Sequence, residues 1–143
     1  MENIKEVIFY TLENSIKSYR QFAQKNINEA GLDITIDQWL VMKVIQENSE
    51  NKQHEVAGKV FKDSASVTRI IDLLIKKGLL ERDIHSSDRR RTELNLTKKG
   101  KNILSKTQKI VSENRAKALK GIDEKKISDL RTVLNTIISN CKK

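Results

Sequence analysis

Apolar residues recur at spacings of three and four along most of this chain, and only one stretch breaks into alternation. Ile4, Val7, Ile8, Leu12, Ile16, Tyr19, Phe22 and Ala23 make one apolar face of a first helix running to about Asn26, with Gly31 marking its end. ITIDQWLVMKVIQ starts a second helix. Thr35 can accept a bond from the backbone at Gln38, the Gln38 side chain can return to the cap, and Ile34 and Trp39 stand where a hydrophobic staple closes. NSENK at 48–52 reads as a polar loop and QHEVAGKV as a short helix. Gly58 costs that helix about 1 kcal/mol relative to alanine, so tertiary packing must hold it.

Asp63 or Ser64 can cap the next helix, which buries Val67, Ile70, Ile71, Leu74 and Ile75 and turns Ala65, Ser66, Thr68, Arg69, Asp72 and Lys76 the other way, before Gly78 closes it. LLERDI and RTELNL then read as two short strands around the turn-forming HSSDR, with Leu94 and Leu96 alternating with Glu93 and Asn95. Thr97 caps a long helix with Ile103, Leu104, Thr107, Ile110 and Val111 on one face, broken near Gly121. From about Asp123 a last helix carries Ile127, Leu130, Leu134, Ile137 and Cys141 at alternating gaps of three and four, the seam of a helix packed on another helix.

The predicted fold is mainly α with a small β-wing, a single domain over residues 1–143. A winged helix-turn-helix lobe occupies about 34–100, and helical segments lie at about 1–30 and 101–143. Terminal helices this apolar need a partner. A second copy of the chain, docking through Ile8, Leu12, Ile127, Leu130, Leu134 and Ile137, is the simplest, and packing of the first helix on the last within one chain is the alternative.

Charge adds a direction to this picture. The net charge is +9, but residues 1–50 sum to −3, 51–100 to +5 and 101–143 to +7, so basic charge begins where the two-strand unit and its preceding helix begin. Lysine-rich helices that are merely well solvated would give the same totals. The single cysteine, Cys141, excludes an internal disulfide framework. No signal-like or membrane-length apolar run is present, so a soluble, cytoplasmic protein is expected.

A helix with small, hydrogen-bonding residues near its N-terminus suits base edges in a major groove, where the positive helix end also favours phosphate. Ser64, Ala65, Ser66, Thr68 and Arg69 meet that description: hydroxyls for a base or phosphate, a methyl for thymine, a guanidinium for phosphate or guanine. In the hairpin loop Arg89, Arg90 and Arg91 repel one another unless they meet a polyanion or an internal carboxylate. Asp88 can supply that carboxylate and shape the loop, leaving Arg89 or Arg90 to enter a minor groove. A solvated charge cluster is the bland alternative. Lys59, Lys62, Lys98, Lys99 and Lys101 flank the region as candidate phosphate contacts that orient without reading sequence. Double-stranded DNA is therefore the expected partner.

The series Thr35-x-x-Gln38-Trp39, Glu55-Val56-Ala57, Ser66-Val67-Thr68-Arg69, Lys77-Gly78-Leu79, Asp88-Arg89-Arg90 and Leu96-Thr97-x-Lys99-Gly100 resembles the multiple-antibiotic-resistance regulators (MarR) in the family's order. These are dimeric winged-helix transcription factors. The resemblance implies a dimer interface built from the first and last two helices, and a wing in which Asp88 and Arg90 shape the loop and contact DNA. It also implies a repressor of a palindromic operator, released by a small effector, often an aromatic anion, bound between the dimer helices and the DNA lobe. No motif identifies that effector or the residues that bind it. Val56 stands where the family usually has leucine, and Ser87 where proline is common.

Other chemistry has little support in these residues. Peroxide-sensing branches carry a cysteine near the N-terminus, whereas Cys141 lies near the end, in an apolar stripe that suggests packing. His54 and His85, 31 residues apart, do not make a metal-ligand cluster, and no metal or cofactor is expected. No phosphate-binding glycine loop is present, so no enzyme is expected. A winged helix serving protein contacts alone would explain the fold but not the arginine cluster.

Overall fold

A computed structural model describes residues 2–50, 52–84 and 92–142. Among the described residues its architecture is mainly α, six α-helices with one two-stranded antiparallel wing. The first predicted helix is divided. The Asn3 side chain accepts the Lys5 N–H and sets a 3-10 turn over Ile4–Glu6, Val7 is extended, and only then does α1 run over Ile8–Glu29. It extends past Asn26 and ends at Ala30, with Gly31 left-handed at φ 78°.

Local capping sets the starts of the next helices. In α2 (Ile36–Glu47) the Thr35 hydroxyl accepts from Gln38 N at 3.0 Å and the Gln38 side chain accepts from Thr35 N at 3.1 Å, a complete capping box. α3 (Gln53–Lys59) follows. Asp63, rather than Ser64, caps α4 (Ser64–Lys76), its Oδ1 accepting from Ser66 N at 2.7 Å. The strands β1 (Leu80–Ile84) and β2 (Thr92–Leu96) pair antiparallel, Leu80 opposite Leu96 and Arg82 opposite Leu94. α5 (Lys98–Ala118) begins at Thr97, whose hydroxyl accepts from Gly100 N at 3.0 Å and donates to Gly78 O at 2.6 Å. α6 spans Glu124–Cys141.

The core sits between α2, α3, α4 and the wing. Val41, Met42, Val56, Val67, Ile71 and Leu74 are fully buried there, closed from below by Leu79, Leu80, Leu94 and Leu96. Of the five α4 residues expected inside, Ile70 and Ile75 are only partly buried, because they flank the Val67–Ile71–Leu74 line that faces α2 and α3. Leu104 and Val111 of α5 and Ile27 of α1 extend this core toward the helical end. There Asn114, buried in α5, accepts from Asn26 Nδ2 at 2.8 Å and so pins α5 to α1.

α1 lies on α5 and α2, and α6 makes no more than marginal contact with any other element. No α6 residue is buried: Leu130 and Ile138 are each 49% exposed, and Cys141 is exposed too, so the packing expected of it is not made within one chain. α1 likewise leaves Ile8, Phe9, Tyr10 and Ile16 open. The intramolecular alternative, first helix on last, is not how this chain packs.

Candidate nucleic-acid interface and adjoining pocket

α3 and α4 form the helix-turn-helix, and its turn is strained. Phe61 takes a left-handed φ of 60° and is 93% exposed, an unusual state for a bulky side chain. Lys62 N donates back to Ala57 O at 3.0 Å, and the chain enters α4 at Asp63. The Ser66 backbone N–H and hydroxyl both donate to the Asp63 carboxylate and hold its pKa below the ordinary value.

The sequence-predicted reading residues divide into two groups. Ser64, Ala65 and Arg69 are exposed along the first turns of α4. Ser66 and Thr68 are half-buried and already engaged. The Ser66 hydroxyl donates to Asp63 at 3.1 Å and accepts from Arg69 at 3.4 Å, while the Thr68 hydroxyl donates to Ser64 O at 2.8 Å and accepts from Gln53. Gln53, at the start of α3, was not among the predicted residues. It clamps the two helices of the motif, a role that no local pattern announces.

The wing is tied to α4 by Arg82 on β1, whose guanidinium lies 3.2 Å from Asp72. Leu94 N reaches Ser49 O at 3.4 Å and attaches β2 to the loop after α2. The loop residues Asp88, Arg89, Arg90 and Arg91, together with His85 and Ser87, lie outside the described residues.

The flanking lysines are not equivalent. Lys59 and Lys98 are exposed. Lys62 is bound to Asp37 at 3.2 Å, and Lys99 donates to the Lys77 carbonyl at 3.1 Å, at the C-terminal end of α4 where a cation is favoured. Lys101 lines a polar recess together with Glu47, Glu50, Glu81 and Asp83.

Behind the motif, α1, α2 and α5 enclose a cavity of about 240 Å³. Its walls are aliphatic, from Ile16, Ile27, Ile36, Leu40 and Val111, and its polar groups belong to Tyr19, Arg20, Trp39 and Arg115. Trp39 is 5% exposed, and its indole Nε1 has no hydrogen-bond partner among the described residues. A buried donor left unpaired costs about 1–3 kcal/mol unless a bound group satisfies it. Arg20 is shared, because its guanidinium also bonds Asp37 at 2.6 Å. Partial burial alone would raise the Asp37 pKa, but the bonds from Arg20 and Lys62 outweigh it and hold the carboxyl below its ordinary 3.8. Among the described residues no group of His, Cys, Asp or Glu is placed to hold a metal ion, and no helix is long and apolar enough to cross a membrane.

Comparison with known proteins places this geometry in a family. The model of the MarR family matches residues 34–92, from the cap of α2 to the start of β2. The HTH-type transcriptional repressor IacR of Pseudomonas putida is 22% identical over 132 residues, covering 92% of this chain and 78% of that protein. A MarR/EmrR family transcriptional regulator from Acinetobacter sp. ADP1 superposes with a TM-score of 0.88 at 18% identity, covering 99% of each chain. Bordetella bronchiseptica BpsR, whose DNA binding is regulated by 6-hydroxynicotinic acid, superposes with a TM-score of 0.84 at 17% identity over 96% of each chain. Residues 34–92, which span the helix-turn-helix, thus match the MarR family of transcriptional regulators, and the chain as a whole has the winged-helix fold of those regulators.

Proposed function

We propose that this regulator is a repressor that binds a palindromic duplex as a homodimer and releases it when a small aromatic acid occupies the α1/α2/α5 cavity. The observation that carries DNA binding is the exposed N-terminal face of α4, Ser64, Ala65 and Arg69, braced against the wing by the Arg82–Asp72 pair. Arg69 and the hydroxyl of Ser64 read bases, and Arg89, Arg90 and Arg91 of the wing, shaped by Asp88, reach phosphates or the minor groove. Lys59, Lys62, Lys98, Lys99 and Lys101 serve as phosphate contacts, Lys62 and Lys99 by giving up Asp37 and the Lys77 carbonyl. The division of labour assigns residues 34–100 to DNA and 1–30 with 101–143 to dimerisation. In a dimer the open faces of α1 and α6, including Ile8, Leu12, Ile127, Leu130, Leu134 and Ile137, cover one another, which removes an apolar surface a monomer would expose. The setting is cytoplasmic, where such regulators meet DNA.

The effector class follows from the cavity's donors. Arg20, Arg115 and Tyr19 line an aliphatic slot together with Trp39, a set suited to a planar ring bearing a carboxylate. The acid that regulates BpsR has the same chemistry.

Selection of bound sequences from random duplex tests the reading. It should return an inverted repeat with half-site centres about one turn, roughly 10 bp, apart, bound with an affinity that falls steeply as salt rises. A salt-insensitive affinity, or a selected site without two-fold symmetry, would sink it.

A further inference from the structure

Arg20, Asp37 and Lys62 come from three separate parts of the chain and form a chain of ion pairs from a cavity-lining residue to the residue that leads into the recognition helix. Arg20 lines the cavity and bonds Asp37 Oδ1 at 2.6 Å, and Lys62 Nζ lies 3.2 Å from Asp37 Oδ2. Lys62 is the residue between the strained Phe61 and the α4 cap Asp63. We propose that this triad is the relay by which an anion in the cavity changes the presentation of α4 to DNA, an inference that rests on the effector reading above. Asp37 is the positioning residue: it lies on α2 next to Ile36, which lines the cavity, but is not itself part of the cavity wall.

A carboxylate that seats on Arg20 brings a second negative charge beside Asp37, and the two anions compete for one guanidinium. Asp37 is then held by Lys62 alone. The Asp37 carboxylate, no longer fixed from the α1 side, moves with Lys62, and the turn at Phe61 loses a restraint that holds it in an unfavourable backbone region. The displaced end is the one that carries Ser64, Ala65 and Arg69. An effector shifts this equilibrium only through its preference for the state in which Asp37 has let go, so the coupling is reciprocal: duplex must weaken effector binding by the same factor.

The test uses the full-length protein, benzoate as the anion and the duplex selected above. Benzoate affinity is measured by calorimetry with and without duplex, and duplex affinity with and without saturating benzoate. In the wild type benzoate should weaken duplex binding about tenfold, a typical coupling. In Asp37→Asn benzoate should still bind, while duplex affinity changes less than about twofold. If Asp37→Asn is released as fully as the wild type, the relay is wrong and the effector reading survives. If benzoate does not bind the wild type, the effector reading fails, and the relay is judged without ligand by a double-mutant cycle of Arg20→Gln and Lys62→Gln on duplex affinity. Each of these side chains pairs with Asp37, so the relay requires the double variant to depart several-fold from the product of the single effects, and requires Asp37→Asn to abolish that departure. Additive effects overturn it.

Discussion

Replacing Gly100 by alanine should destabilise this protein, although the same change in an exposed helix stabilises. Gly100 is buried in the first turn of α5, and a Cβ there would sit 2.1 Å from the Leu79 carbonyl oxygen. Ordinary contact begins at 3.4 Å, so α5 or the entry to β1 must retreat by more than an ångström. Neither can do so cheaply. Leu79 O accepts from Thr97 N at 3.1 Å, Thr97 donates to Gly78 O at 2.6 Å, and Lys99 holds the Lys77 carbonyl. Overpacking of this kind costs roughly 1–3 kcal/mol, and contact with fixed backbone belongs at the upper end. Alanine returns about 1 kcal/mol of helix propensity, leaving a net loss of about 2 kcal/mol. For a chain of this size that lowers Tm by roughly 8 °C. Gly58 in α3 is the matched control. It is exposed with nothing within 4 Å of its Cβ position, so Gly58→Ala should gain about 1 kcal/mol and raise Tm by roughly 4 °C. Circular dichroism melts at one protein concentration, backed by urea midpoints with unchanged slope, read both. A Gly100→Ala variant that melts at or above the wild-type temperature would refute the close approach of α5 to β1.

Three further outcomes are expected. Phe61→Gly removes an exposed side chain from a left-handed position and should stabilise the fold by about 0.5–1 kcal/mol; a lower melting temperature would show that Phe61 packs on something in the assembled protein. Asp37 is held below its ordinary pKa of 3.8, so its ion pairs contribute stability above that value and lose it as pH falls through the folded-state value. The melting-temperature gap between wild type and Asp37→Asn should thus be present at neutral pH and close below about pH 3.8; a gap that persists in acid would refute ionic anchoring. Arg90→Ala should weaken binding to all duplexes alike, whereas Arg69→Ala should also flatten sequence preference; equal loss of preference in both, measured by competition with variant duplexes, would place base reading on the wrong element.

The parts of the fold legible in the sequence are those made by residues a few positions apart. Thr35 and Gln38 close a capping box three residues long, Asp63 caps at the same range, and the Leu94–Leu96 alternation is a property of one strand. Two further details are set by equally local contacts. Asn3 captured the Lys5 N–H and split the first helix, and Ser66 and Thr68 spent their hydroxyls on neighbouring turns and on Gln53. The candidate DNA surface could be named as a helix face, but which of its members stand exposed could not.

By itself, then, the sequence determined the helices, their caps, the hairpin, the basic half of the chain and the family series, because periodicity, capping and charge act over single turns. Tertiary structure alone decided the rest. Asn26 meets Asn114 across 88 positions, Lys62, a candidate phosphate contact, also pairs with Asp37, and Trp39, its indole N–H without a partner among the described residues, comes to line a cavity with Arg20 and Arg115. Each depends on the distance between side chains on different helices, which packing sets and which no spacing along one helix can encode.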